Sequence, residues 1–203
     1  PETPFEMGIP HIIINQDFHV TYFETTSQRE VIELPEHITI LVENDFHDIE
    51  FWYPYYRLQE AGFEPLIVAP TAPKMYRGKF GTFTEATYDA GSLQGKPLLG
   101  VVIPGGWAPD KLRMSSDIVQ LVRQVFENGG VVAGICHAGS LLVSAGIVSG
   151  MRVTSYPSIK DDLIAAGAEW VDAPVVKFGR LITSRRPSDL PFFMKEVIHA
   201  LSR

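Results

Sequence analysis

Between Ile38 and Leu201, short apolar runs alternate with segments whose apolar residues recur every three or four positions. The runs are Ile38-Thr39-Ile40-Leu41-Val42, Pro65-Leu66-Ile67-Val68-Ala69, Leu98-Leu99-Gly100-Val101-Val102-Ile103 and Val131-Val132-Ala133-Gly134-Ile135. They are too short and too uniformly apolar for half-exposed strands, so each predicts a strand buried on both faces. Ile49, Trp52, Tyr53 and Tyr56 predict a helix kinked at Pro54 and stopped at Gly62. Ser115-Ser116-Asp117 caps a second helix, with Ile118, Leu121, Val122, Val125 and Phe126 on one stripe and Gly129-Gly130 at its end. A third carries Leu141 and Leu142 to Gly146. Ser158 is expected to cap a short fourth through Ala166. Two brief strands follow near Val175–Phe178 and Leu181–Thr183, and a last helix starts at Ser188-Asp189 with Leu190, Met194, Val197, Ile198 and Leu201 on one face. Pro70–Tyr88 is rich in Pro, Gly and Thr and predicts a loop with a hairpin. Strands alternating with helices require a mostly parallel sheet covered on both faces, an α/β sandwich.

Residues 1–35 stand outside this alternation. Ile12-Ile13-Ile14 and Val20-Thr21-Tyr22-Phe23 have strand character, as an added hairpin or an arm onto a neighbouring subunit. The expected organisation is therefore an N-terminal extension, 1–35, and a single domain, 36–203. A net charge of −7 gives no reason to expect nucleic acid or an anionic membrane surface as partner. No apolar run approaches membrane-spanning length. One cysteine excludes an intrachain disulfide and suits a reducing compartment. Pro1–Glu6 lacks the basic and apolar regions of a secretory signal, so a cytoplasmic location is the expectation.

That one cysteine closes the fourth apolar run: Gly134-Ile135-Cys136-His137-Ala138-Gly139. A strand that ends there and turns into a helix lifts the side chain of Cys136 above the sheet edge. The helix start supplies free N–H groups that favour a thiolate, so a thiol ionising well below the ordinary value of about 8.5 is expected. In open parallel sheets the site lies beyond the carboxyl ends of the strands. Cys136, Gly105-Gly106 and Glu43–Asp48 all follow such ends and should converge. Ile103-Pro104-Gly105-Gly106-Trp107 offers main-chain donors for an oxyanion at Gly106, with the His137 N–H as the second. His137 is the adjacent proton partner; His199, on the last helix, is assigned to packing or surface.

Cys136-His137, with Pro104-Gly105-Gly106 upstream and Thr154-Ser155-Tyr156-Pro157 and Lys160-Asp161-Asp162 downstream, resembles the ThiJ/PfpI superfamily and, within it, the PfpI intracellular-protease-like branch. Tyr53–Leu58 and Ala166–Asp172 fit the same branch, and the likeness covers about residues 37–203. It implies a flavodoxin-like three-layer α/β/α sandwich of the class I glutamine amidotransferase type, with Cys136 on a nucleophile elbow. It implies that Asp110 is the acidic triad member, donated across a subunit interface, and hence a homo-oligomer, a dimer or hexamer. It places Gly106 at the oxyanion and Gly105, Trp107, Lys79 and Tyr156 around the substrate. The family's glutamate, bonded to the cysteine from the start of the first helix, is matched in position by His47, with Glu50 or Asp48 as residues able to swing in. Imidazole there titrates near 6.5 and would move protons alongside His137.

No cofactor and no metal is expected, although His47, Cys136 and His137 together are a conceivable zinc set. The leading function is a cysteine hydrolase acting on a small carbonyl, amide or C–N substrate, or on a peptide. The alternatives are glyoxalase, deglycase or isonitrile-hydratase chemistry in the same crevice, and a non-catalytic redox sensor working through oxidation of Cys136. The amidotransferase variant is disfavoured, since His199 is followed by Ala200-Leu201.

Overall fold

The computed structural model describes residues 37–202 and three strand segments before them. The chain divides into two units, 1–36 and 37–203. In the first, β1 (Ile12–Ile14), β2 (His19–Tyr22) and β3 (Val31–Glu33) form an antiparallel sheet in that order, with Ile12 opposite Tyr22 and His19 opposite Glu33. Phe23 and the Pro1–Glu6 segment lie outside the described residues.

The second unit is built on a seven-stranded sheet. Its strands are β4 (His37–Leu41), β5 (Pro65–Ala69), β8 (Tyr88–Asp89), β9 (Leu98–Ile103), β10 (Val131–Ile135), β13 (Val175–Phe178) and β14 (Leu181–Ser184). The spatial order is β13-β14-β10-β9-β4-β5-β8, all parallel except β13, which runs antiparallel to β14 at the edge. A separate hairpin, β6 (Lys74–Arg77) with β7 (Phe83–Ala86), fills the loop expected between β5 and β8. A two-stranded parallel ladder joins β11 (Arg152–Val153) to β12 (Glu169–Trp170).

Six α-helices complete the unit: α1 (Asp48–Glu60), α2 (Ala108–Leu112), α3 (Ser116–Glu127), α4 (Gly139–Ala145), α5 (Lys160–Ala165) and α6 (Leu190–Leu201). Helix α1 packs on α6, and α3 packs on α4, one pair on each side of the sheet. Every residue of β10 is buried, as a strand sandwiched between two helical layers must be. The α3 stripe is confirmed at Ile118, Leu121, Val122 and Val125, and the Ser115 side chain accepts the Ile118 N–H as the helix cap. Helix α1 runs through Pro54 without a break.

The chain leaves β4 to build β5 on one side, then returns to place β9 on the other. The order reverses between β4 and β9, and loops on either side of a reversal diverge and leave a crevice. The loops after β4, β9 and β10 meet there.

Candidate active site

Cys136 has φ +62°, a left-handed backbone that a non-glycine residue rarely adopts. Strand β10 delivers the chain extended to Ile135, a single 3-10 turn follows over Cys136–Ala138, and α4 begins at Gly139. The sulfur is thereby turned toward the β9 end, where only 6% of the residue remains exposed. The main-chain N–H groups of Gly106 and His137 are within hydrogen-bonding reach of the sulfur. Two glycines make the approach possible. A Cβ on Gly105 would lie 2.5 Å from the Cys136 Cβ and 2.6 Å from Glu50 Oε2. Gly106 has φ +78°, and a Cβ there would meet Asp45 O at 2.4 Å and His47 N at 2.6 Å.

Glu50, in the first turn of α1, is completely buried and stands beside the cysteine, in the position that the family resemblance gives to His47. Its Oε2 accepts the Gly105 N–H at 2.8 Å, and its carboxyl is in hydrogen-bonding reach of the sulfur. Burial pushes the Glu50 carboxyl up to about 7, against the pull of the Gly105 N–H, the thiol and Lys79. Burial, and then the Glu50 carboxylate, push the Cys136 thiol up to about 12, outweighing the two main-chain donors. The expectation of a thiol ionising well below 8.5 is thus corrected: beside an ionised Glu50 the sulfur keeps its proton. Once Glu50 is ionised, above about pH 7, the two groups hold a single proton between them, resting on the sulfur.

His47 is the residue just before α1, in extended backbone (φ −76°, ψ 114°), with its N–H on Gly105 O at 3.1 Å. Its ring meets Phe80 edge-on at 5.1 Å, and its Nδ1 is buried without a hydrogen bond. Burial lowers its pKa, with Asp48 opposing and Lys79 adding to the fall. No hydrogen bond among the described residues joins it to the sulfur. Asp48 does not swing toward the sulfur either. It accepts the Phe80 N–H at 2.8 Å, the Thr82 N–H at 2.9 Å and the Thr82 hydroxyl at 2.6 Å, tying the 78–82 turn to α1. Burial raises its pKa, but these donors outweigh that and hold the carboxyl below its ordinary range.

That turn carries Lys79, whose Nζ lies 4.5 Å from the centre of the Trp107 ring and 5.7 Å from that of Phe80. His137 Nδ1 is 3.2 Å from the sulfur, and its ring stacks on Tyr156 at 5.0 Å. Burial, and then Lys79, lower the His137 pKa and so favour the neutral imidazole. Ser158 does not cap α5; its Oγ is 3.2 Å from His137 Nε2. Asp110, on α2, lines a cavity of about 320 Å³ together with Gly106, Trp107, Arg113, His137 and Asp162, without a hydrogen bond to His137. His199 is exposed. Among the described residues no group of three or more His, Cys, Asp and Glu side chains is placed to hold a metal, and no helix is long and apolar enough to cross a membrane.

A parallel sheet with its reversal at β4/β9 and a cysteine on a left-handed elbow defines a flavodoxin-like α/β protein of the nucleophile-elbow class. Residues 36–200 match the DJ-1/PfpI family, and the chain belongs to it. It is 40% identical over 164 residues to deglycase PH1704 of Pyrococcus horikoshii, covering 81% of this chain and 98% of that one. It is 34% identical, over 81% of this chain and 97% of the relative, to the putative cysteine protease YraA of Bacillus subtilis. Among solved structures, a two-domain protein of Anabaena variabilis with dj-1/thij/pfpi-like and ferritin-like domains superposes with a TM-score of 0.81 at 34% identity. That match covers 83% of this chain and 48% of the other, so the chain spans about half the length of that protein.

Proposed function

We propose that the protein is a cysteine-dependent enzyme of the deglycase type, cleaving the C–N bond of adducts between an amine and a 1,2-dicarbonyl. The observation that carries this reading is the sulfur of Cys136 held between a buried, readily protonated carboxyl and two main-chain N–H groups. A relative's name, deglycase, supports it.

In this mechanism the reactive form has the proton on Glu50 and the charge on sulfur. The carboxyl O–H and the Gly106 and His137 N–H groups then face an anion that can accept all three. The thiolate attacks the hemiaminal carbon, the C–S bond forms as the C–N bond breaks, and the departing amine takes the Glu50 proton. The ionised Glu50 next removes the proton from the sulfur-bearing carbon and returns it to the neighbouring carbon, while the hydroxyl proton of the first carbon passes to the carbonyl oxygen of the second. This oxidises the first carbon and reduces the second, turning the hemithioacetal into a thioester without an external oxidant. The negative oxygen formed on the way is held by the Gly106 and His137 N–H groups. Water cleaves the thioester to a 2-hydroxy acid; of the two protons released, one returns to Glu50 and the other goes to solvent. A carboxyl with pKa of about 7 is matched to both giving and taking a proton near neutrality. Lys79, above Trp107 and Phe80 at the mouth, attracts the carboxylate that forms. The proposal extends to a homo-oligomer in which Asp110 of one subunit reaches the site of another.

The test is a substrate panel: methylglyoxal-treated N-acetylated amino acids, free dicarbonyls, peptides, simple amides and isonitriles. Release of amine and 2-hydroxy acid, abolished in Cys136→Ala, is the expected outcome. Cleavage of peptides or amides alone would assign the protein to the protease reading that YraA's name carries. No turnover, with stoichiometric oxidation of Cys136 by peroxide, would make it a redox sensor.

A further inference from the structure

We infer that Ser158 is the positioning residue of the site: its hydroxyl fixes the ring of His137 from within the same chain and lets that ring change tautomer as the sulfur gains or loses its proton. The inference rests on the deglycase reading only in taking Cys136 as the nucleophile.

The sequence marks Ser158 as a helix cap, yet its side chain is free of α5 and lies 3.2 Å from His137 Nε2, while Nδ1 of the same ring lies 3.2 Å from Sγ of Cys136. The three side chains form one line: sulfur, imidazole, hydroxyl. The segment that presents Ser158 is fastened to the elbow at several points. The Tyr156 N–H donates to the Cys136 carbonyl at 3.1 Å, and the Tyr156 ring stacks on the imidazole with an interplanar angle of 22°. Ile159 closes the turn through its N–H to Tyr156 O and packs so closely on Gly139 that a Cβ there would lie 2.9 Å from Ile159 Cδ1. Tyr156 therefore holds the face of the ring and Ser158 holds its edge.

The chemistry of a hydroxyl differs from that of the carboxylate usually found behind a catalytic histidine. A carboxylate only accepts, so it locks Nε2–H and favours imidazolium. A hydroxyl donates or accepts by rotating about one bond. With Glu50 and the thiol both protonated, S–H is free to donate to Nδ1, and Nε2–H donates to Ser158 Oγ. With the thiolate, the Ser158 O–H donates to Nε2 and Nδ1–H donates to the sulfur. The ring stays neutral in both forms, and the proton lost by the sulfur goes to solvent. The charged groups around His137 are Lys79, and Asp110, Arg113 and Asp162 on the cavity wall, with Cys136 and Glu50 beyond Nδ1. None of the three on the wall is hydrogen-bonded to the ring, so Ser158 is the group that sets its orientation.

The test uses the full chain with isotope-labelled histidine. In Ser158→Ala, nitrogen chemical shifts of His137 should lose the single dominant tautomer seen at each pH. Alkylation of Cys136 near neutrality should slow about fivefold, the worth of one ordinary hydrogen bond, with kcat falling and KM unchanged. Ser158→Thr should restore both. Ser158→Asp should fix Nε2–H and raise the His137 titration point, shifting the alkylation profile along the pH axis. Identical shifts and an identical pH profile in Ser158→Ala and the parent would overturn the inference. So would an Asp110→Asn variant that alone moves the His137 shifts, since the edge of the ring would then belong to Asp110. Both readouts follow the thiol and the ring directly, so they stand even where the dicarbonyl panel gives no turnover.

Discussion

Asp48 and Glu50 stand two residues apart at the start of α1 and both are closed to solvent, but Glu50 lies much deeper, and their surroundings drive them in opposite directions. Asp48 faces the 78–82 turn and receives three hydrogen bonds, which keep it ionised. Glu50 faces the cysteine and receives one N–H from Gly105; burial then dominates and raises its carboxyl to about 7, so it titrates near neutrality. The pair shows that depth of burial and the count of donors together decide whether a carboxyl is a structural anchor or a proton carrier. The same short helix start thus supplies a fixed anion for the 78–82 turn and a titrating carboxyl beside the sulfur.

Breaking the proton carrier should have the largest effect. Glu50→Ala is expected to lower kcat by roughly 10²- to 10⁴-fold, the usual worth of positioned acid–base catalysis, measured by amine release from a hemiaminal substrate. Glu50→Gln should lose comparable turnover yet still allow alkylation of Cys136, because its amide N–H can donate to sulfur. Breaking the anchor should act on binding. Asp48→Ala removes three accepted hydrogen bonds, so the turn bearing Lys79 loosens, KM rises about tenfold and stability falls by about 1–3 kcal/mol. Its alkylation pH profile should match that of the parent.

The two carboxyls also make opposite contributions to stability as pH changes. The folded-state pKa of Glu50 is raised, so the folded chain binds more protons than the unfolded one between the ordinary glutamate value of 4.5 and about 7. Its contribution is fully present below that window and is lost as pH rises through it. Asp48 has a lowered folded-state pKa, so its contribution is present above the ordinary aspartate value of 3.8 and lost as pH falls. Thermal unfolding should therefore show Glu50→Gln stabilised relative to the parent near pH 8 and little changed near pH 5. The smallest effect is expected from His47→Asn, whose alkylation profile should coincide with that of the parent, since the imidazole makes no bond to the sulfur.

Much of the fold was legible because a parallel sheet leaves uniform apolar runs. Pro65–Ala69, Leu98–Ile103 and Val131–Ile135 were read with the bounds that the structure gives. Helix α2 was missed, because five residues with Pro109 in the first turn carry no periodicity. The elbow was legible from a buried run ending in Cys136. Which side chain faces the sulfur was not. His47 and Glu50 are three apart and would share one face of a continuous helix, so spacing cannot separate them. The choice is made by backbone: His47 is still extended, and Glu50 is already in the first turn. Ser158 was assigned to α5 because serine before a helix is usually a cap. A cap and a partner for imidazole require the same residue type, and only packing distinguishes them.

The central claim is that Glu50 titrates near neutrality beside a thiol that keeps its proton at rest, and that the reactive sulfur forms with the proton on the carboxyl. Infrared difference spectroscopy of the full chain against Glu50→Gln, recorded with the thiolate ultraviolet absorbance over the same pH range, tests it directly. The account predicts a protonated-carboxyl band assigned to Glu50 that is lost as pH rises through about 7, with thiolate absorbance appearing only well above neutrality. A Glu50 carboxyl already ionised at pH 5, or a sulfur fully ionised at neutral pH, would contradict it.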